Sequence, residues 1–403
     1  MTGPVGTSPR LDGVLRKTLL AMVLVAGCTS QTGPTTITTA EPTGTGRLAV
    51  IDDEGDVVVM EADGSDPVEV ATAGEDIGLA QPIWSPDGSH LSWAQLSEDG
   101  SAYAFSDLGS GPPTVVGLDQ FPYYAFWSPA QDRVGILRNG ASGVAFELIT
   151  VPGGEVELVE EDTPFYFSWS PGGDRIVAHA GPVRLLDLGV DGEDGEPGDT
   201  DDSYLAPQWL PDGVLHVVDG ELILDLDDGT ARSVAEVEGL TTFVANPQGT
   251  FVALQSISAG GGQSVALREV AAATRPNVVT LIGLETGEFT TVSDSPAVGF
   301  FWSPDGQRLL ILSPNERGDA LVASVWSEGS IDQYASYQPS PIQVRDLFPF
   351  FPQYAQSLSF WAADSSAFVL VGVIDGEAGV WVQDLGADDP RLVSGGTWAA
   401  WSP

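Results

Sequence analysis

The sequence predicts an all-β protein: a β-propeller of eight blades, or seven if one weak unit near Val244 is not a true blade. Three observations carry this. The word Trp-Ser-Pro-Asp-Gly, whole or worn, recurs down the chain at 84, 127, 169, 209, 245, 302, 361 and 401. The spacings are 43, 42, 40, 36, 57, 59 and 40 residues, near the length of one propeller blade. Between the anchors, short apolar runs alternate with turn clusters, in a chain of 403 residues with 48 Gly and 29 Pro.

The N-terminus reads as an address. Residues 1–27 hold Arg10, Arg16 and Lys17 against one acid, Asp12. The apolar run Leu19 to Ala26 is too short to span a bilayer comfortably. It ends in Leu24-Val25-Ala26-Gly27-Cys28, and Cys28 is the one cysteine of the chain. This run resembles the lipobox of bacterial lipoproteins. The resemblance implies a signal peptide over 1–27, cleavage before Cys28, lipid attachment at Cys28 and an extracytoplasmic protein anchored to the cell membrane. An uncleaved anchor with an incidental cysteine is the competing reading. Residues 28–46, rich in Thr, Gly and Pro, follow as a disordered tether.

The propeller is expected over 47–403. Arg47 to Ile51, Asp56 to Glu61 and Val68 to Ala71 read as three strands with no anchor before them, and the chain closes on an anchor strand, Thr397 to Pro403. Together they complete one blade, which removes the open edges of the ring. The unit at Trp209 shows the four-strand pattern: Tyr204 to Leu210, Val214 to Asp219, Glu221 to Leu226 and Ala231 to Ala235. In the anchor word, Ser-Pro-Asp-Gly suits a type I turn, with Pro presetting φ. Trp84, Trp127, Trp169, Trp209, Trp302, Trp361 and Trp401 are read as structural anchors that fill the gaps between blades.

Charge sets limits on partners. From residue 28 onward there are 12 bases and 56 acids, a field that repels phosphate backbones and argues against nucleic acid. It suits either a solubilising surface or one that attracts cations or a basic partner. With a single cysteine, no internal disulfide forms.

The repeat resembles the WD40-like (PD40) propeller repeat of the TolB family over nearly all of 47–403. That resemblance implies an envelope-located β-propeller used mostly as a protein-binding scaffold. The separate N-terminal α/β domain of TolB itself has no counterpart here.

Two long spacings mark insertions, near 259–276 and 338–357. The second carries Phe348, Phe350, Phe351 and Tyr354 among prolines. These aromatics are the candidate partner-binding residues, since aromatics concentrate binding energy. The competing reading has the segment folded back over the propeller edge or tunnel mouth. Asp191 to Asp202 has seven acids in twelve residues; a solvated loop is the reading, with Ca²⁺ as the alternative ligand. His90, His179 and His216 fall in second strands of different units and need not converge. No catalytic residue, metal site or cofactor is assigned, and no G-x-S-x-G elbow or sialidase-type Asp box is found. The expected role is a non-catalytic protein-binding scaffold meeting an envelope or secreted protein. The alternative is a propeller that binds or hydrolyses a carbohydrate or peptide through tunnel-mouth carboxylates.

Overall fold

The computed structural model describes residues 46–108, 111–182, 184–190, 194–195, 197–257 and 277–403. Cys28, the signal segment, nearly all of the tether and the 259–276 insertion lie outside the described residues. The described residues fall within the unit Pro42–Pro403. They form six antiparallel sheets of four strands and one of seven.

The anchors explain this layout. All but Trp361 stand on the strand at one end of a sheet, and four of the anchors are tied through the indole to the strand of the preceding anchor. Trp84 Nε1 donates to Ala400 O, Trp169 Nε1 to Phe126 O, Trp302 Nε1 to Val244 O and Trp361 Nε1 to Phe301 O. In every case the acceptor is the residue before the preceding anchor. An indole there fills the space between sheets and satisfies a carbonyl on the neighbour's edge. Trp127 Nε1 donates instead to Ser92 Oγ. Trp84, Trp127, Trp169, Trp361 and Trp401 are buried, and Trp209 and Trp302 are half-buried.

The seven-stranded sheet holds two anchors. Its strands run from Gly299–Trp302 to Arg391–Ser394, and Trp361 bridges to Phe368 beside it. The halves join only through Gln338↔Val373 and Pro339↔Gly372. The terminal sheet is made as the sequence implied: Trp398–Trp401 pairs antiparallel with Arg47–Ile51, which leads to Val57–Glu61 and Val68–Ala71.

At the Trp209 unit the strands are Gln208–Leu210, Gly213–Val218, Glu221–Leu226 and Ala231–Glu236. The first is shorter than expected. Pro207 has no N–H for a ladder, so Tyr204 makes only a single bridge, to Thr241. The acidic run was expected to be a solvated loop throughout. Its Gly198–Asp199 instead pairs with Leu185 and Arg184 as an edge strand, while Asp191 to Glu193 and Glu196 lie outside the described residues.

The anchor turn closes as predicted, and in the Trp302 copy its fourth residue, Gly306, takes a positive φ. Gly306 N donates to Ser303 O at 2.8 Å, and Ser303 Oγ accepts from Arg308 N at 3.0 Å. Gly306 has φ +66°, and a Cβ there would meet Gln248 Oε1 at 1.7 Å. Gly318 has φ +71° with open space around it. Gly306→Ala is expected to cost about 1–2 kcal/mol, since the exposed Gln248 amide can swing aside while Asn246 Nδ2 at 3.0 Å must give, and Gly318→Ala about 1 kcal/mol. Urea midpoints of the two variants separate backbone strain from the clash.

Candidate functional site

The site is built by the second insertion, and it is helical. After the strand ending at Pro339, Gln343–Leu347 forms one π turn, Phe348–Phe350 a 3₁₀ turn and Phe351–Ser357 an α-helix, α1. Pro349 and Pro352 sit in the first positions of their turns, where a missing N–H costs nothing.

α1 packs against the anchor strands of four sheets, those of Trp127, Trp169, Ala245 and Trp302. Its side chains reach three more places. Gln356 Nε2 donates to Pro207 O, Tyr354 OH accepts from Gln81 Nε2, and the Tyr354 ring lies edge-on to Trp398 at 6.2 Å. An element touching so many anchor strands occupies the space they enclose. The segment is therefore a plug in the mouth of the propeller tunnel.

The predicted candidates divide accordingly. Phe351 and Tyr354 are core: each is about 5% exposed, with Phe351 edge-on to Phe300 at 4.7 Å and Tyr354 edge-on to Tyr124 at 5.1 Å. Their burial removes them as free docking residues. Phe348 is half-buried. Phe350 is 43% exposed and Val344 is 54% exposed, flanked by exposed Pro341 and Pro349. These four are the apolar residues that the insertion exposes. Burial pushes the Tyr354 and Tyr124 hydroxyls far above their ordinary range, so both are neutral donors and acceptors here.

The residue the sequence did not flag is Gln353. Its Oε1 accepts from Phe167 N at 2.8 Å, and its Nε2 donates to Phe167 O at 2.7 Å and to Tyr124 OH at 2.9 Å. Phe167 lies on the tunnel-facing edge of its sheet, where strand N–H and C=O groups have no ladder partner. One amide supplies both. The same device recurs twice. Gln208 takes Ala245 N and gives to Phe243 O, and Gln255 takes and gives at Ala297.

The histidines do not converge. His90 stands 5.8 Å from Trp127, His216 Nε2 meets Asp225 Oδ2 at 2.8 Å, and His179 donates from Nδ1 to Leu205 O at 3.0 Å. His179 also stacks on Tyr204 at 4.6 Å. Burial holds the His179 pKa below its ordinary value of 6.5, against the pull of the Leu205 and Pro182 carbonyls. The folded state thus favours the neutral ring. Stability from this group is full above about pH 6.5 and falls as pH drops from there to the lower folded value. His179→Phe keeps the stack and removes the titration. Its urea midpoint, compared with that of the unaltered chain between pH 7.5 and pH 5, is expected to show a smaller decline.

Among the described residues, no group of three or more His, Cys, Asp or Glu side chains could hold a metal ion. The buried carboxylates there are Glu147 and Asp384, each paired with an arginine, Arg138 and Arg391. One surface cavity of about 150 Å³ is lined by His90, Asp107 and Pro152, and one of about 260 Å³ by Asp332, Tyr334 and Asp388. Neither includes a plug residue.

No protein-family model matches this sequence, and no curated protein does. Solved structures are similar in fold. The dihydro-heme d1 dehydrogenase NirN matches at 16% identity over 88% of this chain and 74% of its own, with a TM-score of 0.56. A eukaryotic initiation factor matches at 8% identity over 90% of this chain and 99% of its own, with a TM-score of 0.54. TolB from Acinetobacter baumannii matches at 14% identity over 70% of this chain, with a TM-score of 0.39; this chain spans 61% of its length. Likeness at such identities speaks to the propeller fold alone. No helix among the described residues is long and apolar enough to cross a membrane.

Proposed function

We propose that this chain is an extracytoplasmic propeller, lipid-anchored through Cys28, that serves as a non-catalytic scaffold for an envelope or secreted protein. One observation supports this most: the tunnel mouth, where propeller ligands would enter, is filled by a packed segment whose exposed residues, Arg345 apart, are apolar. Val344 and Phe350 stand out of a helical plug that is itself fixed by buried hydrogen bonds. A rigid base under an exposed aromatic, Phe350, and an exposed valine suits a docking surface, because little side-chain or loop entropy is lost on binding. The carboxylate-hydrolase alternative needs two acids about 5–10 Å apart in an open cleft. The described residues place both buried carboxylates in ion pairs instead.

The test is crosslinking pull-down from native membranes. The intact chain is compared with a Val344→Ser, Phe350→Ser double variant, which leaves Phe351, Gln353 and Tyr354 in place. Capture of one protein, lost in the variant, supports the scaffold and locates its site. If the intact chain captures nothing specific, the scaffold reading fails and glycans and peptides are screened.

A further inference from the structure

We infer that the plug-bearing face takes a cationic protein segment with an apolar anchor; this rests on the scaffold reading and adds the chemistry of the partner. The argument starts from topology. The plug touches the anchor strands upstream of the Ser-Pro turns, at Gln81, Tyr124, Phe167 and Trp398, and at the start of the insertion Ser340 Oγ donates to Thr397 O, just before the first residue of the last strand. The loops that lead into those strands therefore surround the plug.

Those loops carry carboxylates. Glu75 and Asp76 precede the Trp84 strand, Asp119 the Trp127 strand, Asp202 the Trp209 strand, Glu238 the Ala245 strand and Asp294 the Trp302 strand. All six are exposed. Across 72–76, 119–121, 163–164, 200–207, 237–239, 292–298 and 395–397 there is no Lys or Arg. The one base on the insertion, Arg345, is spent on its neighbour: its guanidinium grips both Asp346 oxygens, at 2.6 and 2.5 Å.

The face thus carries the exposed apolar residues Pro341, Val344, Pro349 and Phe350 inside a ring of carboxylates; the exposed base on a hairpin at the same end, Arg317, sits between two more acids, Glu316 and Asp319. An apolar centre with a charged rim is the anatomy of a protein interface. The rim charge selects the partner: an acidic or anionic surface is repelled, and a segment with Lys or Arg around a Leu, Phe or Trp is drawn in. A hydrophobic anchor seated on Phe350 brings its flanking cations to the rim.

The opposite face is acidic too, which gives the experiment its control. A short amphipathic Lys/Leu peptide with one Trp reporter is titrated into the full mature chain at low and high salt. Three variants are compared. The first removes four plug-face charges: Glu75→Gln, Asp119→Asn, Glu238→Gln and Asp294→Asn. The second removes four from loops at the other end of the strands: Glu155→Gln, Asp227→Asn, Glu285→Gln and Glu328→Gln. The third is Val344→Ser, Phe350→Ser. The expected result is a loss of about tenfold in affinity for the first and third, and less than about twofold for the second. A Glu/Leu peptide is expected not to bind. Equal losses from the two charge sets, or no binding of the Lys/Leu peptide, overturn the inference. Repeating the membrane pull-down with the first variant separates the two proposals. A partner held by that variant and lost by Val344→Ser, Phe350→Ser keeps the scaffold and removes the cationic partner.

Discussion

Gln353→Leu is expected to destabilise the fold by about 3–5 kcal/mol, although leucine suits an apolar interior and matches glutamine closely in volume. The side chain is 2% exposed and bonds Phe167 N, Phe167 O and Tyr124 OH. Leucine leaves all three groups buried near the tunnel axis. Each buried group that loses its partner costs about 1–3 kcal/mol, whereas a typical bond adds only about 1 kcal/mol when made. Tyr124 OH keeps its bond to Gln353 O, a backbone group, which lowers the total. Gln353→Glu is the sharper variant. A carboxylate still accepts from Phe167 N but sets negative charge against Phe167 O, so the loss is expected to exceed that of leucine, or the group takes up a proton. The measurement is the urea midpoint of each variant at pH 7.5, and of the Glu variant again at pH 5. A Leu variant within about 1 kcal/mol of the unaltered chain would show that water replaces the amide, and that the plug is not fixed by this clamp.

The clamp also marks where sequence reasoning stopped. The repeats were legible because each repeats the same local problem. A turn needs Ser, Pro and a residue at positive φ, and an indole must fill a gap, so the word reappears. It tolerates wear: Gln131 (φ 64°) and Ser365 (φ 60°) stand where other copies use Gly. The unit without Trp survives because Asn246 Oδ1 accepts from Thr250 N and Phe251 N, while the Gln208 amide supplies the link between strands. The plug lacked any such signal. Its consecutive residues Phe351 to Tyr354 are all buried, so no 3.6-residue stripe marks a helix. Its prolines read as breakers while serving as first-turn residues. Gln353 reads as a surface residue, and its partner lies 186 positions earlier in the chain. The aromatics drew notice for their composition, but composition does not tell Phe350, which stands in solvent, from Phe351, which does not. Likewise, the ring of loop carboxylates was visible only as a net charge until the strands fixed which loops share a face.

Removing Thr397–Pro403 is expected to abolish cooperative folding. The strand Trp398–Trp401 pairs with Leu48–Ile51, and each of its tryptophans is at most 2% exposed. It also touches two neighbouring units. Trp84 Nε1 donates to Ala400 O, Trp398 Nε1 donates to Pro82 O, and Trp401 N donates to Ser359 O. Loss of a buried Trp costs about 3–5 kcal/mol, so two of them, with the ladder, approach the 5–15 kcal/mol that holds a typical domain. Against this stands the entropy of joining Arg47 to Ser402, a separation of 355 residues. For a free chain that closure costs about 5 kcal/mol. In the ring most of this is met beforehand, since the links from Trp84 round to Trp361 already bring the two ends together. Closure should then be cheap once the other units are formed, and its gain nearly whole. Two results follow. The chain ending at Gly396 should lack the near-ultraviolet circular dichroism of its packed indoles and unfold without a sharp transition. Adding a synthetic peptide of residues 397–403 should restore both, because the groove it fills is pre-shaped by its neighbours. A truncated chain that unfolds as sharply and at the same urea concentration as the full one would show that the ring holds without its terminal strand. Recovery of the signal without the peptide, on lowering temperature alone, would place the effect in the unfolded state instead.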